Sequence, residues 1–305
     1  MKALLFSTTQ YAYLKSKMME NNSFDDGVIE RKVFPDGESY HRILADVAGR
    51  DVIVVGGTID DGETMELYDI ACGLEQGGCL SLTLVIPYFG YSTMERAVKS
   101  GELVKAKTRA LLLSSIPRTS KGNRVVLMDL HTEGLPHYFE SGIRPIHLYC
   151  KSLIIEAARE LGGDDFVLAS TDAGRAKWVE SLANDMNVSA AFVYKRRLSG
   201  SETQVSGVNA EVKGKHVIVY DDMIRTGGSL IEAAKAYLAV GAKKVSVITT
   251  HGLFANNAIE RLQKSGVIEK VVSTDTHPNA MALQSDFLQV KSVASLLTEM
   301  LLKNN

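Results

Sequence analysis

Cysteine is scarce in this chain: Cys72, Cys79 and Cys150 are the only three in 305 residues, and their spacing fits neither a disulfide framework nor a tetrahedral metal site. They are expected to be plain buried thiols, and zinc is not expected. A surplus of one charge is also missing, since 34 Lys and Arg stand against 36 Asp and Glu for a formal net charge of -2. Without a basic face to track a phosphodiester backbone, nucleic acid is excluded as a partner, and any phosphate must be gripped locally. No stretch approaches the ~18 apolar residues of a membrane span, and Met1-Lys-Ala-Leu-Leu-Phe-Ser is too short an apolar run for a signal peptide. A cytoplasmic protein with no membrane partner is expected. Proline numbers only six and no Pro/Ser-rich linker appears, so composition marks no domain boundary.

What is present is ordinary globular material, 45% hydrophobic and 23% charged, in a chain long enough for two domains. Short β-branched runs (Val52-Ile-Val-Val, Leu82-Thr-Leu-Val-Ile, Val125-Val-Leu-Met, Phe166-Val-Leu-Ala, Val217-Ile-Val-Tyr, Val245-Ser-Val-Ile, Val271-Val) alternate with amphipathic stretches such as 63–76 and 229–240. That rhythm predicts βαβ units with parallel sheets covered by helices. Gly77-Gly78 and Gly241 supply helix stops, and the segment from Val290 to Leu302 is amphipathic and predicts a terminal helix.

An internal repeat organises these elements. Laying residues 52–89 without gaps on 217–254 pairs Val52-Ile-Val-Val with Val217-Ile-Val-Tyr, Gly62 with Gly227, Thr64 with Ser229 and Phe89 with Phe254. A second correspondence sets Asp129-Leu-His131 beside Asp275-Thr-His277, each after an apolar strand. Both halves are therefore expected to share one fold, divided at 1–147 and 148–305. They differ where chemistry would sit, because Gly56-Gly57 holds the place of Asp221-Asp222.

In Val217-Ile-Val-Tyr-Asp221-Asp222-Met-Ile-Arg225-Thr226-Gly227-Gly228-Ser229 an apolar strand leads through two acids and a Gly-rich loop into a helix. Such a loop lets backbone N–H groups approach a phosphate, with the Thr226 and Ser229 hydroxyls as further donors. The two acids are then placed to accept from sugar hydroxyls. The plain alternative is a strand-turn-helix in which Ser229 caps the helix and the acids face solvent.

The segment resembles the phosphoribosyl-diphosphate motif of type I phosphoribosyltransferases and of ribose-phosphate diphosphokinases. Further matches favour the second family: Phe34-Pro-Asp36-Gly37-Glu38 is similar to its nucleotide loop, Pro87-Tyr-Phe-Gly-Tyr91 to its Pro-Tyr-Phe-x-Tyr strand end, and Asp129-Leu-His131 to its Asp-Leu-His segment. Ser170-Thr-Asp172-Ala-Gly174-Arg175 resembles its Ser-Pro-Asp-x-Gly-Gly segment, Lys195-Arg196-Arg197 its catalytic flexible loop, and Thr250-His251-Gly-Leu-Phe254 a strand end near its C-terminus.

The resemblance implies two tandem phosphoribosyltransferase-like α/β domains. It implies transfer of the β,γ-diphosphoryl group of ATP to the C1 hydroxyl of ribose 5-phosphate, giving AMP, with Mg²⁺ required. By the same resemblance Lys195 and Arg197 are catalytic, and Asp221, Asp222, Arg225, Thr226, Gly227, Gly228 and Ser229 bind ribose 5-phosphate. Phe34, Asp36, Gly37 and Glu38 bind ATP, while His131 and Asp172 associate with the metal; apart from the resemblance, Arg96 is expected at the ATP site in compensation for a missing family cation, with Lys99, Lys105 and Lys107 as alternatives. A homo-oligomer is implied, dimer-based with a hexamer open, in which the nucleotide loop serves a neighbour. Two alternatives stand beside this one, a non-catalytic regulatory paralog and a phosphoribosyltransferase. The chain departs from the family pattern at Thr93-Met94, where an Arg-Gln pair usually contacts nucleotide, at Arg225 in place of Asp, and at Gly174-Arg175 in place of Gly-Gly.

Overall fold

The computed structural model describes residues 1–171, 173–197, 203–208 and 211–303. The chain divides into two compact units, Met1–Tyr149 with Ala294–Asn305, and Cys150–Val293.

The first unit is built from β1 (Leu4–Ser7), α1 (Ala12–Met19), β2 (Asp25–Asp26), β3 (Ile29–Val33), β4 (Ser39–Ile43), β5 (Asp51–Val55), α2 (Asp61–Gln76), β6 (Ser81–Ile86), α3 (Lys105–Ser114), β7 (Asn123–Met128) and β8 (Arg144–Leu148). Its main sheet has the order β2-β1-β5-β6-β7-β8, and all of its pairings are parallel. The fully apolar runs seen in the sequence are those of strands covered on both faces. Leu82, Leu84 and Ile86 of β6 lie in one core with Leu67 and Leu74 of α2 and Leu113 of α3. Separately, β3 and β4 form an antiparallel hairpin whose loop is Phe34 to Glu38.

The second unit comprises α4 (Lys151–Gly162), β9 (Phe166–Ser170), α5 (Ala176–Met186), β10 (Ser189–Arg197), β11 (Thr203–Val208), β12 (His216–Ile224), α6 (Gly228–Ala239), β13 (Lys244–Gly252), α7 (Ala258–Lys264), β14 (Val271–Thr274), α8 (Pro278–Ala282) and β15 (Leu288–Lys291). Its sheet runs β11-β10-β9-β12-β13-β14-β15, parallel except where β11 pairs antiparallel with β10. Val217, Val219, Val245 and Val247 form its core with Leu230, Tyr237 and Leu262.

The two orders superpose as β1-β5-β6-β7-β8 on β9-β12-β13-β14-β15, which is the repeat expected from 52–89 and 217–254. The expected class, two mainly parallel sheets flanked by helices, is what the chain adopts. One element falls elsewhere than the sequence division placed it. Helix α9 (Ala294–Lys303) packs on α1 and belongs to the first unit and not to 148–293; each helix buries an apolar stripe, Leu297 and Leu301 on α9 and Leu14 and Met18 on α1.

Candidate functional site

In the second unit β12 does not stop at its acids. It runs on through Asp221 and Asp222 to Ile224, pairing Met223 with His251 and Ile224 with Gly252. Asp221 is half-buried and Asp222 is only 3% exposed, so the two acids lie within the strand and do not face solvent as the plain alternative has it. The continued pairing keeps the ladder satisfied and fixes which face each carboxylate takes. The Thr171 hydroxyl donates to Asp221 at 3.4 Å, brought there by the register of β9 on β12, where Ser170 stands opposite Tyr220. Arg175 reaches Asp222 with 2.5 Å between Nη2 and Oδ2. Its cation stabilises a carboxylate that burial alone would penalise by several kcal/mol, of the order of 3 or more.

After Ile224 the chain turns through Arg225 and Thr226, both exposed, into Gly227, which serves as N-cap of α6 with φ +75°. No side chain caps this helix, so Ser229 is an exposed first-turn residue and not the cap of the plain alternative. The first-turn N–H groups of a helix have no internal partner and carry the positive end of its dipole, which favours an anion. Gly227 is required twice: its backbone is left-handed, and a Cβ there would stand 2.8 Å from Leu262.

The equivalent place in the first unit is chemically opposite. Gap-free pairing sets Asp60 and Asp61 against Arg225 and Thr226. Helix α2 is capped by Asp60, whose carboxylate accepts from the Glu63 amide at 2.8 Å, and acids occupy its first turn. A phosphate would meet two carboxylates there and a cation with a hydroxyl in the second unit. The asymmetry that Gly56-Gly57 suggested therefore extends over the whole loop.

The nucleotide-loop residues form the β3-β4 hairpin turn. Gly37 adopts φ +94°, the Phe34 and Gly37 amides donate to Glu38 and Phe34 carbonyls, and Asp36 accepts from the Glu38 amide at 3.1 Å. The turn presents Phe34 with 47% of its surface exposed, its ring edge-on to Tyr40. The structure therefore gives the segment the hairpin turn that its Pro-Asp-Gly permits. Arg96 is 79% exposed and lies 3.5 Å from Glu95.

Two cations surround Tyr91: Lys105, which the sequence offers among several that could compensate for the missing Arg-Gln pair, and Arg109, which it does not single out. Lys105 and Arg109, both on α3, stand with their charged groups 4.9 Å from the Tyr91 ring centroid, and Tyr91 and Arg109 both donate to Asp61. The spacing of Lys105 and Arg109, four residues apart before the apolar face of α3, was the available signal.

His131 is half-buried beyond β7, next to Asp129, which is buried and held at φ +34°. Asp172, its expected companion at a metal, lies outside the described residues. Lys195 and Arg197 extend β10 opposite Val205 and Thr203 of β11, with an irregularity in register between Tyr194 and Lys195, so the described backbone of the Lys-Arg-Arg is strand. Their side chains lie outside what is described.

Among the described residues no helix is long and apolar enough to cross a membrane. A family model for the N-terminal domain of ribose phosphate pyrophosphokinase matches residues 3–116, and one for the phosphoribosyl synthetase-associated domain matches 170–304. A ribose-phosphate pyrophosphokinase of Fusobacterium nucleatum is 34% identical over 96% of this chain and 92% of its own length. That of Caldanaerobacter subterraneus is 33% identical over 98% and 93%. A crystal structure of phosphoribosylpyrophosphate synthetase from Mycobacterium smegmatis aligns over 100% of both chains with a TM-score of 0.88 at 26% identity. With near full-length relatives on this side and the acid-bearing strand, open helix terminus and hairpin loop on the other, the chain belongs to the ribose-phosphate pyrophosphokinase family, the diphosphokinases of the motif comparison under their other name.

Proposed function

We propose that this chain transfers the β,γ-diphosphoryl group of ATP to the C1 hydroxyl of ribose 5-phosphate, giving 5-phosphoribosyl 1-diphosphate and AMP. The observation that carries it is the uncapped N-terminus of α6 set directly after Asp221 and Asp222. The 5-phosphate takes the amides of Gly228 and Ser229 with the Thr226 and Ser229 hydroxyls, Arg225 adds a cation, and the two acids accept from the ribose hydroxyls. Diphosphoryl transfer builds negative charge on bridging and terminal oxygens, so catalysis rests on positioning and on cations that offset it. Lys195 and Arg197 take that part, one as a point charge and one as a fork. Phe34 stacks on the adenine, with Asp36, Gly37 and Glu38 around its amino group, and Arg96 reaches the same nucleotide.

Mg²⁺ prefers a few hard oxygens with substrate phosphates over an all-protein cage. Among the described residues no three of His, Cys, Asp and Glu converge. His131 and Asp172 are the residues that would meet it. When bound, the ion offsets phosphate charge; the chain's own residues orient the sugar and exclude water. Action in the cytoplasm as a dimer-based homo-oligomer completes the reading.

The test is to follow AMP and 5-phosphoribosyl 1-diphosphate formation from ribose 5-phosphate and MgATP, with Lys195→Ala as control. AMP that appears only with the sugar and is lost in Lys195→Ala is the expected result. Sugar binding without turnover on any nucleoside triphosphate would overturn it and favour a regulatory paralog, the outcome for which the loss of Arg-Gln at Thr93-Met94 prepares.

A further inference from the structure

We infer that Arg175 is a positioning residue of the sugar site: it orients the buried Asp222 carboxylate, and through it sets the preference for ribose over deoxy sugars. The inference rests on the reading of Asp221 and Asp222 as hydroxyl acceptors. Its observation is the ion pair itself, 2.5 Å between Arg175 and an acid whose side chain is 4% exposed. Arg175 closes the short 3₁₀ turn Ala173–Arg175 and stands as N-cap of α5, just beyond β9. Because β9 lies beside β12 with Ser170 opposite Tyr220, the turn after one strand is delivered over the acids of the other.

Two physical arguments separate this from a merely structural pair. A buried ion pair gains little over apolar residues of the same shape, so nothing in the packing of β12 calls for a charge at position 222. And Asp222 adjoins half-buried Asp221 in β12, four residues before exposed Thr226 and five before Gly227 at the uncapped start of α6. A carboxylate has about four acceptor directions, so a guanidinium that takes one edge leaves acceptor capacity for a hydroxyl. The planar fork also fixes the carboxylate plane, which an ammonium does not.

Calorimetric titration without nucleotide tests this, using ribose 5-phosphate and its 2-deoxy and 3-deoxy analogues. Arg175→Ala is expected to weaken ribose 5-phosphate about tenfold or more and to weaken at least one deoxy sugar much less, so the preference shrinks. Arg175→Lys, which keeps the charge, is expected to recover part of the loss, and in an Asp222→Asn background Arg175→Ala adds almost nothing. Equal weakening of all three sugars, or a full effect of Arg175→Ala on top of Asp222→Asn, overturns the inference while leaving the sugar site intact. Failure of the wild type to bind any of the sugars overturns the reading of the site and the inference with it.

Discussion

The Thr8 hydroxyl donates to the Glu63 carboxylate at 2.5 Å, joining the end of β1 to the first turn of α2 across 55 residues of chain. The same oxygen accepts from the Gly57 amide at 3.1 Å, while the other, Oε2, is buried without a partner. Burial raises the Glu63 carboxyl to about 7, against the downward pull of those two hydrogen bonds. A carboxyl whose folded value lies above its ordinary 4.5 holds a proton that the unfolded chain has already lost. Stability therefore falls as pH rises through that window, by up to about 3 kcal/mol once both states are ionised. Urea unfolding at pH 5, 6, 7 and 8 should show the decline in the wild type. Glu63→Gln, which still accepts from Thr8 and Gly57 but carries no charge, should flatten it and be the more stable form at pH 8. An unchanged slope in Glu63→Gln would place the dependence elsewhere.

Gly227 and Gly228 separate backbone need from ligand room. A side chain at Gly227 meets a left-handed backbone and Leu262 at 2.8 Å, whereas at Gly228 the nearest atom is 3.8 Å away, the flexible end of Arg261. Gly227→Ala should cost about 2–4 kcal/mol, the sum of a non-glycine residue in αL and an overpacked contact. Gly228→Ala should leave unfolding within about 1 kcal/mol of wild type, since alanine is the better helix former. Both should weaken ribose 5-phosphate, because the added methyl of the second lies where a phosphate approaches the first turn. Loss of affinity without loss of stability in Gly228→Ala is the informative result; tight binding by that variant would remove the helix terminus from the phosphate site.

How much of this was legible follows from how far apart the causes lie. Strands such as Val217-Ile-Val-Tyr and helices such as 229–240 are set by local periodicity; the structure keeps the helix with ends shifted by one residue and extends the strand four residues at its C-terminal end. The relation of the two sheets was visible because a duplication repeats the same local pattern. Val290 and Lys291, the last two residues of β15, were read as the start of the terminal helix because Leu288-Gln-Val-Lys is short and its partner, β14, supplies the reason for extension only in three dimensions. The Arg175–Asp222 pair joins residues 47 positions apart, and nothing local distinguishes Arg175 from a solvated cation. Lys105 was legible only as one of several possible compensating cations and Arg109 only as its neighbour one turn on; their convergence on Tyr91 and Asp61 needed the fold. The acid cap on α2 was readable in principle, since Asp60 followed three residues later by Glu63 is a capping signature.

The return of α9 to the first unit has a direct consequence. Its entry is fixed on the second unit by the Val293 amide, which donates to the fully buried Asp275 at 2.8 Å, but the helix itself buries Leu297 and Leu301 among residues of the first. Leu297 is fully buried, so Leu297→Ala removes its apolar contacts and leaves a cavity, at a cost of about 2–5 kcal/mol. If α9 is a working part of the first unit's core, hydrogen exchange in this variant should quicken in α1 and β1, while β9 and β12 keep their protection. Faster exchange confined to the second unit would instead tie α9 energetically to the residues that precede it in sequence. The comparison needs no assumption about catalysis, because α1, β1 and α9 carry none of the proposed site residues.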